Sequence, residues 1–331
     1  MSVTFSGGIT FTGGGFSFSA APPSQATAAW FGGGFNATSN ISTVQRITFA
    51  TDTNTATVRG PLSYTNQKGA GTGTLTDGWF GGGYTGGGFA SVVTRVTYAT
   101  DTNTSTNRGA LSQIRWGLAA TTDGTTYGWF GGGWVYPDPL STVDRITYAN
   151  DTATATVRGP LATARRLLAA TGNTTDGWYG GGQSPSNPDS QVSTVDRITY
   201  ATDTATATAK GPLSQARHGL ASVTDGSTYG WFGGGYNNTP NFGTVSTVDR
   251  ITYATDTATA SLRGPLAQTV SRLAGGGDST YGWFGGGYSF SPYGRTSNVH
   301  RITYATDTAT ASLRGILSVA VWYLAATSGI Q

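Results

Sequence analysis

Trp30-Phe31-Gly32-Gly33-Gly34 is a phrase the chain repeats five more times, at Trp79, Trp129, Trp178 (where Tyr replaces Phe), Trp231 and Trp283. The copies stand 49, 50, 49, 53 and 52 residues apart. A period near fifty is too long for a solenoid coil and matches one blade of a β-propeller. Repeat five shows how each period divides. Gly219-Leu220-Ala221-Ser222-Val223 reads as a short strand of small residues, followed by turn chemistry in Thr224-Asp225-Gly226-Ser227. Tyr229 to Gly233 is a second strand, and Val248 to Tyr253 a third after a loop that differs between copies. Ala254-Thr255-Asp256-Thr257 turns the chain, and Ala258 to Arg263 return as a fourth. Gly264-Pro265-Leu266 leads to the next unit, because proline cannot continue a central ladder. The expected fold class is all-β: a six-bladed β-propeller with four antiparallel strands per blade.

The two ends of the chain indicate how the circle closes. Tyr323-Leu324-Ala325-Ala326-Thr327 matches an innermost strand with no blade after it, while the first repeat lacks an inner strand before Trp30. The C-terminal strand is therefore expected to complete blade one, leaving no free edge. The propeller occupies residues 26–331 on this reading. Residues 1–25, rich in Gly, Phe and Ser, form an N-terminal arm outside it, although Phe11-Thr12-Gly13-Gly14-Gly15-Phe16 faintly echoes the repeat. Small residues on each first strand (Gly117-Leu118-Ala119-Ala120 is another copy) suit the crowded axis. The Trp-Phe-Gly-Gly-Gly copies are read as packing between blades. Their glycines let a neighbour approach closely or end the strand at positive φ.

Composition agrees. At 331 residues the chain exceeds what one hydrophobic core usually serves, and repeats escape that limit by packing on their neighbours. All 16 acidic residues are Asp, and Lys occurs only at 68 and 210, so the best surface helix formers are nearly missing. Charged residues make up 11% of the chain, against about 25% in an ordinary soluble domain. The surface must be covered by Thr, Ser, Asn and Gly. Cysteine is absent, which removes disulfides and thiolate metal sites. Met1-Ser2-Val3-Thr4-Phe5 has neither a basic start nor an apolar run, so no signal peptide or membrane insertion is expected. A net charge of +3, with no basic run, gives no case for nucleic acid.

The glycine doublet after an apolar strand, the Tyr of Arg250-Ile251-Thr252-Tyr253 and the segment Pro212-Leu213-Ser214-Gln215-Ala216-Arg217-His218 resemble the kelch repeat family over roughly residues 29–327. One departure is plain: the tryptophan of the kelch fourth strand is replaced by Val157, Ala209, Leu262 and Leu313. The Ser-Thr-Val-Asp-Arg-Ile-Thr-Tyr-Ala-Thr-Asp-Thr-Ala-Thr-Ala runs are also similar to repeat proteins of tailed bacteriophage virions. The second resemblance implies a virion location, with other virion proteins or a host-surface glycan as partners and a homo-oligomer on the particle as one arrangement.

Strand directions place the turns between strands one and two, and three and four, on one rim. That rim holds Asp52, Asp77, Asp101, Asp123, Asp151, Asp176, Asp203, Asp225, Asp256, Asp278 and Asp307. The other rim is expected to be basic. To it fall Arg46, Arg95, Arg145, Arg197, Arg250 and Arg301 from third strands, and Arg59, Arg108, Arg158, Lys210, Arg263 and Arg314 from fourth strands. The linkers add Lys68, Arg115, Arg165, Arg166, Arg217 and Arg272. Asp in a hairpin turn is expected to bond its own backbone, and the third-strand Arg to pair with its neighbour, as in Asp144-Arg145. The loops between strands two and three vary in length and carry aromatics with Asn, Ser and Pro, as binding loops on a rigid frame do. The candidate binding residues are Trp134, Tyr136, Tyr236, Phe242, Tyr288, Phe290 and Tyr293, with Arg115, Arg166, Arg217 and Arg272 from the linkers. The alternative is that each aromatic covers its own blade.

Catalysis is not expected. A kelch-type copper-radical oxidase needs Cys and His ligands, and the chain has no Cys and only His218 and His300. Sialidase-like chemistry needs a Tyr activated by Glu, and there is no Glu. The Asp residues are repeated turn elements rather than a unique carboxylate pair. No cofactor or metal is implied. The expected role is a non-enzymatic tail, fibre or baseplate component that binds through aromatic loops on a basic face. The alternatives are a capsid-decorating or cement subunit and a free lectin-like or kelch-like scaffold.

Overall fold

The computed structural model describes residues 9–12, 15–18, 25–184, 190–238 and 243–329. Six four-stranded antiparallel sheets make a β-propeller. Blade three shows the pattern from axis to rim: Ala119–Thr122, Tyr127–Gly131, Val143–Thr147 and Thr156–Arg158. In blade one the order is Ala325–Thr327, Ala28–Gly32, Val44–Thr48 and Thr57–Arg59, with Trp30 opposite Thr327 and Gly32 opposite Ala325. The chain's last strand thus closes the circle as expected. Among the described residues of the first 24, Ile9–Thr12 pairs antiparallel with Gly15–Phe18 in a separate two-stranded sheet. The rest of the proposed arm lies outside the described residues.

Strand lengths differ from the sequence reading in three places, each for a local reason. The fourth strand of blade five is only Ser261–Arg263, an exposed outer edge with little to pack against. The third ends at Thr252, where a 3-10 turn at Tyr253–Thr255 swings the tyrosine into the blade interface. The first begins at Ala221, because Gly219 has φ +62° and turns the chain rather than extending it.

Neighbouring blades are joined by one clamp, built six times. The repeated Trp is buried and stacks on the first residue of the next blade's 3-10 turn, as Trp129 does on Tyr200 with ring centroids 3.9 Å apart. Its indole N–H donates to the aspartate of that same turn: Trp129 to Asp203 at 2.8 Å, and Trp283 to Asp52 at 2.9 Å across the closing seam. Third- and fourth-strand cations of the first blade reach the same carboxylate, Arg145 at 3.0 Å and Arg158 at 3.5 Å from Asp203. The residue after the Trp is also wholly buried, and its ring lies against the preceding blade's first triplet glycine. A Cβ at Gly131 would sit 2.6 Å from the Tyr179 ring. The second and third glycines take positive φ, so both expected uses of the triplet occur.

The clamps overturn the expected polar disk. Asp52, Asp101, Asp151, Asp203, Asp256 and Asp307 do not serve their own turns; each is shared by the preceding blade's tryptophan and two cations. The twelve third- and fourth-strand cations therefore lie between blades, where those carboxylates consume their charge. The expected Asp–Arg neighbour pairs fail because adjacent strand residues point to opposite faces. Asp144 instead meets Arg115 of its own linker at 2.9 Å, as Asp196 meets Arg165 and Asp249 meets Arg217, all with side chains wholly buried. The other three blades carry neither partner: Thr94, His300 and Gln45 replace the Asp, and Asn66, Val270 and Val321 replace the Arg. Of the first-turn aspartates, Asp123, Asp225 and Asp278 bond their own turns as read, whereas Asp77 and Asp176 accept threonine hydroxyls and leave the turn N–H groups to Thr74 and Asn173. Asp123 Oδ1 accepts the backbone N–H groups of Thr125, Thr126 and Tyr127 at 2.9, 2.7 and 3.0 Å.

Candidate functional site

Each linker enters its blade through the same four steps. A leucine anchors it (Leu111, Leu161 and Leu213 are each 2% exposed). The residue four positions on, Arg115 in blade three, is buried. The next pairs with the residue after a glycine triplet, as Trp116 does with Trp134. The following residue takes a left-handed conformation and turns into the innermost strand. At that last step stand Lys68, Gly117, Leu167, Gly219, Arg272 and Tyr323, with φ between +55° and +69°. Each donates its N–H to the carbonyl of its counterpart one blade back, Gly117 to Lys68, Leu167 to Gly117 and so on, until Lys68 donates to Tyr323. Six hydrogen bonds of 2.5 to 2.8 Å thus form an unbroken girdle around the axis.

Outside the girdle lie two further tiers on the same face. The second is Gln67, Trp116, Arg166, His218, Ser271 and Trp322; the third, bridged to it, is Tyr84, Trp134, Gln183, Tyr236, Tyr288 and Phe35. None of these positions carries a carboxylate. The aromatics touch one another around the circle: Trp116 and Phe89 on Trp134, Tyr236 on Phe290, and Tyr288 on Phe290, Tyr293 and Trp322. Cations sit over these rings. Lys68 Nζ is 4.2 Å from the Trp116 centroid and 4.8 Å from that of Tyr323. The Arg272 guanidinium is 4.6 Å from Trp322, and that of Arg295 5.1 Å from it. Such contacts hold cations near faces of negative π density.

Electrostatics at the axis follow from crowding like charges in partial burial. Burial first, then Arg272 and Arg166, push the Lys68 ammonium down to about 8. The same causes in the same order push His218 down to about 3, so its ring is neutral at ordinary pH. Lys68, Arg272 and Tyr323 line an axial cavity of about 60 Å³, floored by Leu118, Leu168 and Leu220. On the opposite face the axis opens into a cavity of about 300 Å³ lined by Asp123, Asp225 and Asn173 among others. The carboxylates of Asp123 and Asp225 are engaged with their own turns.

The sequence-predicted residues fall into three groups. Tyr136, Tyr293 and Phe290 are exposed, at 78%, 77% and 46%. Trp134, Tyr236, Arg166 and Arg272 are half-buried within the tiers, and Tyr288 is buried beneath them. Arg115 and Arg217 are corrections. Both are 0% exposed and hold Asp144 and Asp249, so they cannot meet a ligand. Phe242 lies outside the described residues. Sequence reasoning missed Lys68, Trp116, Trp322 and Tyr323 as site residues; aligning the linkers, rather than the loops, would have put all four in register.

Among the described residues no group of three or more His, Asp or other metal-binding side chains could hold a metal ion. No helix there is long and apolar enough to cross a membrane. The sequence matches no family description, and none of the curated proteins matches it either.

Proposed function

We propose that this protein is a non-catalytic binding propeller whose working surface is the linker face. In line with its resemblance to phage repeat proteins, we read it as a virion component of the tail, fibre or baseplate. Its partner is a host-surface glycan or another virion protein. The observation that carries the reading is where charge and aromatic surface remain after the frame is built. Fifteen of the 19 Lys and Arg residues are consumed between or within blades. Among the described residues Lys68, Arg272 and Arg295 lie outside that set, and these three gather on one face with the exposed Tyr136 and Tyr293. A rigid frame displaying adaptable polar groups beside aromatic anchors suits recognition. The kelch likeness stays part of this proposal, with the departure at the fourth strand noted above.

The test is binding of the purified protein to an array of bacterial surface polysaccharides and to immobilised tailed-phage particles. The double substitution Tyr136→Ala, Tyr293→Ala should reduce binding at least tenfold, and Asp123→Asn on the opposite face should not. Loss through Asp123→Asn with no effect of the tyrosine pair would overturn the assignment of the face.

A further inference from the structure

Resting on that reading of the linker face, we propose that its axial mouth binds the carboxylate of an acidic sugar, held between Lys68 and Arg272. Four observations converge. First, among the described residues Lys68, Arg272 and Arg295 have no carboxylate within ion-pair distance, in a protein whose clamps and buried pairs otherwise match cation to Asp. Second, Lys68 and Arg272 hold left-handed backbone, φ +59° and +60°, at positions where Gly117 and Gly219 stand in other blades. Strained backbone carrying crowded like charges is costly to the fold and characteristic of ligand sites. A bound anion would offset both the burial and, after it, the repulsion from Arg272 and Arg166 that lower the Lys68 ammonium.

Third, a donor of the site itself is unused: Nε of Arg272, which lines the cavity, is buried with no hydrogen-bond partner among the described residues. Fourth, size and surroundings favour a sugar. About 60 Å³ is room for roughly two waters, hence for one carboxylate but not a chain of phosphates. Around it lie partly exposed Trp116 and Trp322 with the amide of Gln67, which fit a ring carrying hydroxyl groups.

The probe is free glucuronate titrated by calorimetry and amide NMR, with glucose, acetate and an acidic peptide in parallel. Glucuronate should bind with a dissociation constant on the order of a millimolar, at least tenfold tighter than glucose or the peptide and tighter than acetate. The shifted amides should be those of Lys68, Arg272 and Tyr323. Affinity should fall as pH rises through 8, where Lys68 loses its proton. The variants Lys68→Gly and Arg272→Gly install the residue other blades carry there and relieve the left-handed strain, so each should weaken glucuronate at least tenfold without lowering the melting temperature. Equal binding of glucose, peptide binding tighter than glucuronate, or indifference to both variants overturns the proposal. If the variants still bind polysaccharide through Tyr136 and Tyr293, the site fails while the face stands. If glucuronate binds but the tyrosine pair is irrelevant to polysaccharide, the face reading fails instead.

Discussion

Replacing Asp203 by Ala tests the clamp directly. The change removes the acceptor of the Trp129 indole N–H, which is wholly buried, and leaves that donor unsatisfied at about 1–3 kcal/mol. It also strips the counter-charge from Arg145 and Arg158. Their side chains keep 18% and 19% exposure, so solvent offsets part of the loss and each contributes about 1 kcal/mol or less. The sum is about 3 kcal/mol, within bounds of about 1–5 kcal/mol. Asp203→Asn keeps an oxygen for the indole and should cost about half as much. Trp129→Phe keeps an aromatic ring on Tyr200 but lacks the donor. In a double-mutant cycle with Asp203→Ala it should show a coupling of about 1–2 kcal/mol. Urea unfolding followed by fluorescence supplies the free energies, and the Trp129 indole proton supplies a local exchange readout. Asp123→Ala is the control, since it releases only turn N–H groups near solvent and should cost about 1 kcal/mol. If Asp203→Ala costs no more than this control, or if the cycle is additive, the clamp is not what joins the blades.

Three further outcomes follow from the same frame. Arg115→Val alone should destabilise by about 3–5 kcal/mol by stranding the buried Asp144, and adding Asp144→His, the pairing blade six uses, should recover most of it in urea titrations. Truncation after Trp322 removes the inner strand of blade one and the carbonyl that accepts the Lys68 N–H; the exposed edge should drive association, seen as a larger mass by light scattering. His300 is buried without a hydrogen-bond partner among the described residues, and burial lowers it to about 4 from 6.5. The unfolded chain then binds more protons between pH 6.5 and 4, so stability rises with pH across that window, by on the order of 3 kcal/mol from this residue. His300→Gln, the residue blade one carries, should flatten the acid limb of a pH series of urea midpoints.

The period of the tryptophans, the small residues of the first strands and the orphan strand at Ala325 were enough to read the ring and its closure from sequence. The destination of the charges was not, because it depends on contacts that local pattern does not encode. Asp203 sits in a turn whose chemistry argues for self-bonding, yet its partner Trp129 lies 74 residues earlier. One sign was available: every repeat that has the Trp has the Asp, and every linker Arg that turned out to be buried has its Asp on the third strand. Arg115 and Arg166 look alike in a list of basic residues, and a one-position shift along the linker decides that the first is core and the second surface. The axial mouth was missed for the opposite reason. Lys68, Gly117, Leu167, Gly219, Arg272 and Tyr323 share no chemistry, only a backbone conformation, and side-chain pattern says nothing of that.

That shared conformation has an electrical consequence. The peptide dipoles of the girdle point along the tangent of a circle, and as vectors they cancel, unlike the aligned dipoles that give a helix a positive end. The opening therefore receives no field from its own backbone, and its polarity is written wholly by six outward seats. Two of these are glycines, where a side chain would take on the left-handed strain that Lys68, Leu167, Arg272 and Tyr323 already bear, away from the clamps. A single substitution at Gly117 or Gly219 could re-letter the opening from cationic to neutral or anionic on an unaltered frame.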